Sequence, residues 1–246
     1  MDYPPARLLN PRNLPGLLAA SLVVALLGAA PASPRLELQI ARATYDPLDA
    51  LDITVRVKNG ARGPVVVTFP QTAEYGLALA SGSRDVWTSP ATTGGAAHHR
   101  PFPAGETTLV TYEWNGVLAD GTSPAPGVYV LRGTLLTAGA QSGDRATLRI
   151  TAPLPISALA KTGALVVTVS GTLDATGSTL HDATGDVKLA RRIAGVAPGT
   201  IVDVRGSMQT QVGGRKAFEF ERWAPTTVTL TAAADSSAEM PGIPRP

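Results

Sequence analysis

The chain has 246 residues, room for one large or two small domains, and 44% of them are hydrophobic, enough to give each domain a core. With 21 basic against 19 acidic residues, charge singles out neither a nucleic-acid nor a membrane partner. The absence of cysteine excludes a disulfide framework, thiol catalysis and thiolate metal sites, so the fold must rest on core packing alone.

Residues 1–32 read as a secretory signal peptide. Arg7 and Arg12 form a basic leader, Leu17 to Ala30 an apolar run, and Ala30-Pro31-Ala32 a small-residue cleavage site. The competing reading is a retained anchor, but this run makes a helix of only about 21 Å, short of the roughly 30 Å hydrocarbon core. Either reading places the domains outside the cytoplasm, secreted or in the periplasm and cell envelope.

Residues 33–152 read as an immunoglobulin-like antiparallel β-sandwich. Leu51, Ile53, Val55 and Val57 alternate with Asp52, Thr54, Arg56 and Lys58, the pattern of a strand with one face on a core and one in water. Further strand candidates are Leu36 to Ala43, Val65 to Phe69, Tyr75 to Ala80, Asp85 to Thr88, Thr107 to Trp114, Val128 to Leu136 and Ala146 to Thr151. Asn59-Gly60, Arg62-Gly63-Pro64, Ser81-Gly82-Ser83 and Ala104-Gly105-Glu106 supply turn chemistry between them. Trp87 and Trp114 fall in alternating strands and are expected in the core. Tyr129, near the start of a late strand, is either a core aromatic or the residue whose hydroxyl caps a backbone turn at a sandwich corner.

Ser89 to Phe102 breaks the alternation and reads as the longest irregular connection of this domain. Long loops on a rigid sandwich are common binding elements, which makes His98, His99 and Arg100 the candidate protein-contact residues. A metal site there is disfavoured, because adjacent residues of an extended segment point to opposite sides.

The series Asn59, Thr68-Phe69-Pro70, Tyr75, Gly82, Val86-Trp87, Pro103-Ala104-Gly105-Glu106, Trp114 and Pro126-Gly127-Val128-Tyr129 resembles the BsuPI family over residues 50–137. That family of small all-β modules is named after an intracellular proteinase inhibitor. The resemblance implies a sandwich that inhibits subtilisin-like serine proteases through a presented loop.

Ala152-Pro153-Leu154-Pro155 marks a boundary, and residues 153–162 read as a linker. Residues 163–232 carry a weaker resemblance to an OB-fold, a small five-stranded β-barrel. Leu165 to Leu173 and Thr200 to Met208 are long strands interrupted by Gly171 and Gly206, which mark bends or bulges. Leu180 to Leu189 forms a hairpin with its turn at Asp182 to Gly185, and Arg215 to Trp223 and Thr227 to Leu230 supply the remaining strands. Oligonucleotide stacking is disfavoured, since Val187, Leu189, Val202, Val204 and Met208 put no aromatic on the usual binding face. Residues 233–246 are small, polar and proline-rich, a disordered tail by composition.

No G-x-S-x-G elbow, P-loop, dinucleotide fingerprint or H-E-x-x-H is present. His181-Asp182 suggests a base and its orienting partner, but sequence neighbours seldom face one another. The expectation is therefore a non-enzyme without cofactor or metal that binds a protein partner, an extracytoplasmic serine protease first. Envelope scaffolding or adhesion is the alternative, and single-stranded nucleic-acid binding by the second domain a third.

Overall fold

A computed structural model describes residues 34–89, 94–139, 142–163 and 165–226 of the protein. The signal-peptide reading, the strand expected at Thr227 to Leu230 and the tail lie outside these residues. Among the described residues no helix is long and apolar enough to cross a membrane.

The fold is all-β. The first unit contains β1 (Arg35–Ile40), β2 (Thr44–Tyr45), β3 (Leu51–Lys58), β4 (Val65–Phe69), β5 (Tyr75–Ser81), β6 (Arg84–Thr88), β7 (His98–Phe102), β8 (Thr107–Trp114), β9 (Gly127–Leu135) and β10 (Gly143–Ile150). These form a three-stranded sheet ordered β1-β3-β8, a five-stranded sheet ordered β2-β10-β9-β5-β6, and a two-stranded ribbon, β4-β7. Pairing is antiparallel except where β2 lies parallel to β10, after the chain has switched sheets beyond β1.

Alternation explains the burial. On β3, Leu51, Ile53, Val55 and Val57 are buried and their neighbours face outward. They meet Leu77 and Leu79 of β5, Tyr129 and Leu131 of β9 and Leu148 and Ile150 of β10 in one core. Trp114 is buried in it, and Trp87, half-buried, tilts against Trp114 at 6.0 Å between ring centroids. The Tyr129 hydroxyl donates to Ala125 O at 2.7 Å, so the corner bond forms. Burial pushes this phenol's pKa up.

The second unit holds α1 (Leu159–Thr162), β11 (Val167–Leu173), β12 (Thr179–Asp182), β13 (Gly185–Lys188), β14 (Ile201–Thr210) and β15 (Lys216–Pro225), its strands ordered β13-β12-β11-β14-β15 in one antiparallel sheet. Gly206 sits at a register shift between β14 and β15, where a Cβ would lie 2.1 Å from Glu219 O. The extra residue, Glu221, lies on β15, so that Phe218 and Phe220 before it and Trp223 after it all face the second core.

Two expectations are corrected here. The sheet is not a closed barrel: its edges meet only at a parallel bridge between Leu189 and Phe218, because the short β13 leaves too few residues for a continuous seam. Residues 153–162 are not a free linker. Leu154 bridges to Val169, and a 3-10 turn followed by α1 buries Ile156 and Leu159 in the second core.

The two units are joined by polar contacts. The turn between β2 and β3 holds Leu48 at a φ of 65°, a strained left-handed conformation for a leucine, with the side chain fully buried. Gly116 packs on that turn so closely that a Cβ would meet Leu48 Cα at 2.7 Å, and its own φ of +77° suits glycine. Asp49 next to it, 4% exposed, accepts from Arg42 Nη2 at 3.1 Å and pairs with Arg205 Nη2 of β14 at 2.7 Å. Thr168 Oγ1 donates to Pro47 O at 2.6 Å, Ser123 Oγ to Asp203 Oδ2 at 2.5 Å, and Ser123 bridges Thr226 in parallel. Arg222 reaches Asn115 O at 3.0 Å and Glu113 at 3.6 Å.

Candidate functional site

The segment read as an irregular loop around His98, His99 and Arg100 ends in a strand: these residues lie on β7, paired with β4 as Phe69↔His98, Thr68↔His99, Val67↔Arg100, Val66↔Pro101 and Val65↔Phe102. The reason is visible in what lies beneath them. The inner face of the ribbon brings Val67, Phe69 and Phe102 into the sandwich core. The positions between Phe69 and Phe102 on that same face are His98 and Arg100, partly exposed side chains that both turn to one carboxylate.

Glu74, just before β5, holds both. His98 Nε2 lies 3.2 Å from Glu74 Oε1, and Arg100 Nη1 donates to Glu74 Oε2. The His98 ring stacks on Phe69 at 5.2 Å, and the Arg100 guanidinium lies over Phe102 at 4.9 Å while donating to Thr108 Oγ1 at 3.1 Å. At the ribbon's far end Asn59, fully buried, donates through Nδ2 to Gly63 O, Phe102 O and Pro103 O, and its Oδ1 accepts from Ala61 N. The ribbon is thereby fastened to β3, β5 and β8.

His99 is turned the other way. Its Nδ1 is 2.9 Å from Thr68 Oγ1, and with Val66, 65% exposed, and the exposed Pro101 it forms the outward face of the ribbon. The candidate residues are therefore split: His98 and Arg100 brace the ribbon, and His99 alone is presented. The sequence did not single out Val66 and Pro101 as its neighbours, nor Glu74 as the brace. A register of β4 against β7 would have found them, but two elements lie between these strands in the chain.

Elsewhere, His181 Nδ1 meets Asp186 Oδ1 at 2.6 Å across the β12–β13 hairpin, both well exposed. Asp182 is occupied by the backbone N–H groups of Ile156 at 2.8 Å and Thr184 at 2.6 Å, which together with the Thr184 hydroxyl outweigh its desolvation and lower its pKa. Among the described residues no hydroxyl bonds to His181, and no group of three or more histidines or carboxylates is placed to hold a metal ion. Phe218 and Phe220, the aromatics of β15 that nucleic-acid stacking would need outside, are buried in the second core. An open trough of about 990 Å³ crosses the outer face of the five-stranded sheet over Gly76 and Ala78, rimmed by Arg132, Arg145 and Leu136. Arg132 is paired there with Asp85.

No family model and no curated protein matches this sequence. Among solved structures, the chain is similar to Spo0M, a sporulation control protein of Bacillus subtilis, at 13% identity and a TM-score of 0.34 over 71% of this chain and 67% of that one. It also resembles, in part, the alkylpurine DNA glycosylase AlkC of Pseudomonas fluorescens, at 16% identity and a TM-score of 0.32 over 49% of this chain and 31% of that one. A β-glucosidase of Listeria innocua aligns at 17% identity and a TM-score of 0.30, over 48% of this chain and 16% of that one. The chain thus spans about a third of the glycosylase and about a sixth of the glucosidase. These likenesses lend no weight to any one activity.

Proposed function

We propose that this protein is an exported, non-enzymatic protein-binding module that inhibits subtilisin-like serine proteases in the manner the BsuPI resemblance implies. One observation carries the binding reading: the β4–β7 ribbon has an inner face pinned by Glu74, Phe69 and Phe102 and an outer face of Val66, Thr68, His99 and Pro101 left to solvent. A surface ordered before the encounter does not lose that conformational freedom on binding, which is how a rigid element gains affinity over a loose one. A rigid extended segment also resists cleavage by the protease it contacts. Export rests on the leader sequence, and protease as partner on the family resemblance.

The test is a titration of the purified protein against subtilisin. Stoichiometric loss of protease activity is expected, and Val66→Asp with His99→Ala should raise the inhibition constant by about tenfold or more, the loss of one well-packed contact patch. Full protease activity at molar excess of the protein would remove the inhibitor reading.

Scaffolding within the cell envelope is the second reading, favoured by the buried Asp49–Arg205 and Ser123–Asp203 contacts that lock the two units together. Cross-linking in the native envelope separates the two: a captured protease supports inhibition, and a stable structural partner supports scaffolding.

A further inference from the structure

A strand at the side of a sheet exposes a row of N–H and C=O groups, and proteins ordinarily close such edges. Among the described residues, three of the four side strands of the two larger sheets are closed. On β1, Leu36 N and Leu38 N, which face away from β3, donate to Ser142 Oγ at 3.0 Å and Asp144 Oδ2 at 2.8 Å. On β6, a register shift interrupts the strand and Val86 O is taken by Ala119 N at 3.1 Å. β2 has only two residues to offer.

β8 is different. Asn59 N donates to Glu106 O and Gly105 N to Asn59 O, both at 3.0 Å, and these bonds set the phase of the β3–β8 ladder. Stepping back by twos, Val57, Val55 and Ile53 exchange bonds with Thr108, Val110 and Tyr112. The backbone N–H and C=O groups of Thr107, Leu109, Thr111 and Glu113 therefore point away from the sheet. Among the described residues none of these backbone groups has a hydrogen-bond partner.

The side chains fit an edge made for pairing. Thr107 to Tyr112 contains no charge, proline or glycine, the devices that usually protect an edge, and is rich in residues that favour strands. Leu109 is 58% exposed on the outer face, and Val110 and Tyr112 are only half-buried on the inner one. Desolvation, with the neighbouring Tyr75 adding to it, pushes the Tyr112 phenol up to about 12.

We propose that β8 is a homotypic interaction edge, pairing antiparallel with β8 of a second copy about a two-fold axis through Val110 and joining the two three-stranded sheets into one. In this register Leu109 exchanges both bonds with Thr111 of the second copy and Thr107 with its Glu113, so all four outward residues are used. Val110 meets its own counterpart on the inner face, and no like charges are apposed. Moving the axis to Thr111 sets Leu109 against Glu113, and moving it to Leu109 carries Glu113 past the end of the strand to Gly105. The match of the segment to its own reverse is what selects a second copy as the occupant.

The chain has no cysteine, so Val110→Cys is a single reporter. The axial pair is non-hydrogen-bonded, with Cα atoms about 4.5 Å apart, within the roughly 4.4–6.8 Å that a disulfide spans. Mild oxidation of V110C in the full chain is expected to give a covalent dimer, while Val66→Cys on the ribbon, though more exposed to oxidant, gives little. In sedimentation equilibrium the unsubstituted chain is expected to be dimeric, and Leu109→Lys with Thr111→Lys, which face each other across the axis, to weaken association on the order of tenfold with an unchanged circular dichroism spectrum. A chain that sediments as a monomer up to high micromolar concentration overturns the proposal. So does a V110C dimer that forms no faster than one through V66C, or an association that the lysine pair leaves undiminished.

Discussion

Asp174 shows how a surface residue acts through local bonds. Desolvation works to raise its pKa, yet the Thr176 hydroxyl and the backbone N–H groups of Ser178 and Thr179 outweigh it and hold the carboxyl down, to about 2 from 3.8. These bonds close the turn between β11 and β12. A carboxyl whose pKa is lowered on folding contributes stability above its unfolded value and loses it as the pH falls through the folded value. The folded protein is therefore expected to lose stability between about pH 4 and pH 2, and D174A to show a shallower slope across that window in urea unfolding at stepped pH. The turn is a local affair of Asp174-Ala175-Thr176-Gly177, closed also by Gly177 N on Asp174 O. Tyr129 was legible as a residue but not as a bond: the sequence placed it at a strand start and left open where its hydroxyl would point.

At the scale of elements, alternation carried β3, β4, β5, β8 and β9 almost residue for residue, because a half-buried strand writes its two faces into the chain with period two. β7 escaped that rule. His-His-Arg-Pro-Phe has no apolar alternation, yet its inner positions are filled by His98 and Arg100, whose polarity is answered by Glu74. A strand can use a polar residue inward when a partner waits there, and the partner comes from a different segment of the chain. Glu74→Gln is expected to cost about 1 kcal/mol, since the ion pair is partly exposed. It should also speed amide exchange across His98 to Phe102 while leaving β3 protected, as read by hydrogen-exchange mass spectrometry. The proline-flanked segment after β10 misled in the opposite sense. Pro153 and Pro155 signalled a linker, whereas Ile156 and Leu159, one helical turn apart, are held down by the second core.

At the scale of the whole molecule, charges and hydroxyls carry bonds between the two units. Asp49 is the centre of them, buried between Arg42 and Arg205, with Arg205 also bonded to Glu221 at 3.0 Å. Removing the carboxylate leaves a largely buried guanidinium with half its partners, the situation in which breaking a buried pair is costly. Asp49→Ala is expected to lower the unfolding free energy by about 3 kcal/mol. It should also turn a single thermal transition into two, seen by calorimetry, as the units begin to melt separately. A single transition at an unchanged midpoint would show that the pair does not couple them. Nothing in the stretch around Asp49 announces this role: an acid in a turn is an ordinary surface feature until Arg205 arrives from the other unit.

What the sequence determined alone is the all-β character, the faces of most strands and the turns between them, because each depends on neighbours a few residues apart. Only the tertiary structure decided which polar side chains are enclosed. Glu74 with Arg100, Asp49 with Arg205 and Ser123 with Asp203 each need two distant segments to meet. A buried charge or hydroxyl is tolerated only where its partner is already in place, and that condition is a property of the assembled chain. The open edge of β8 is of the same kind, since a strand does not reveal from its own residues whether another lies beside it.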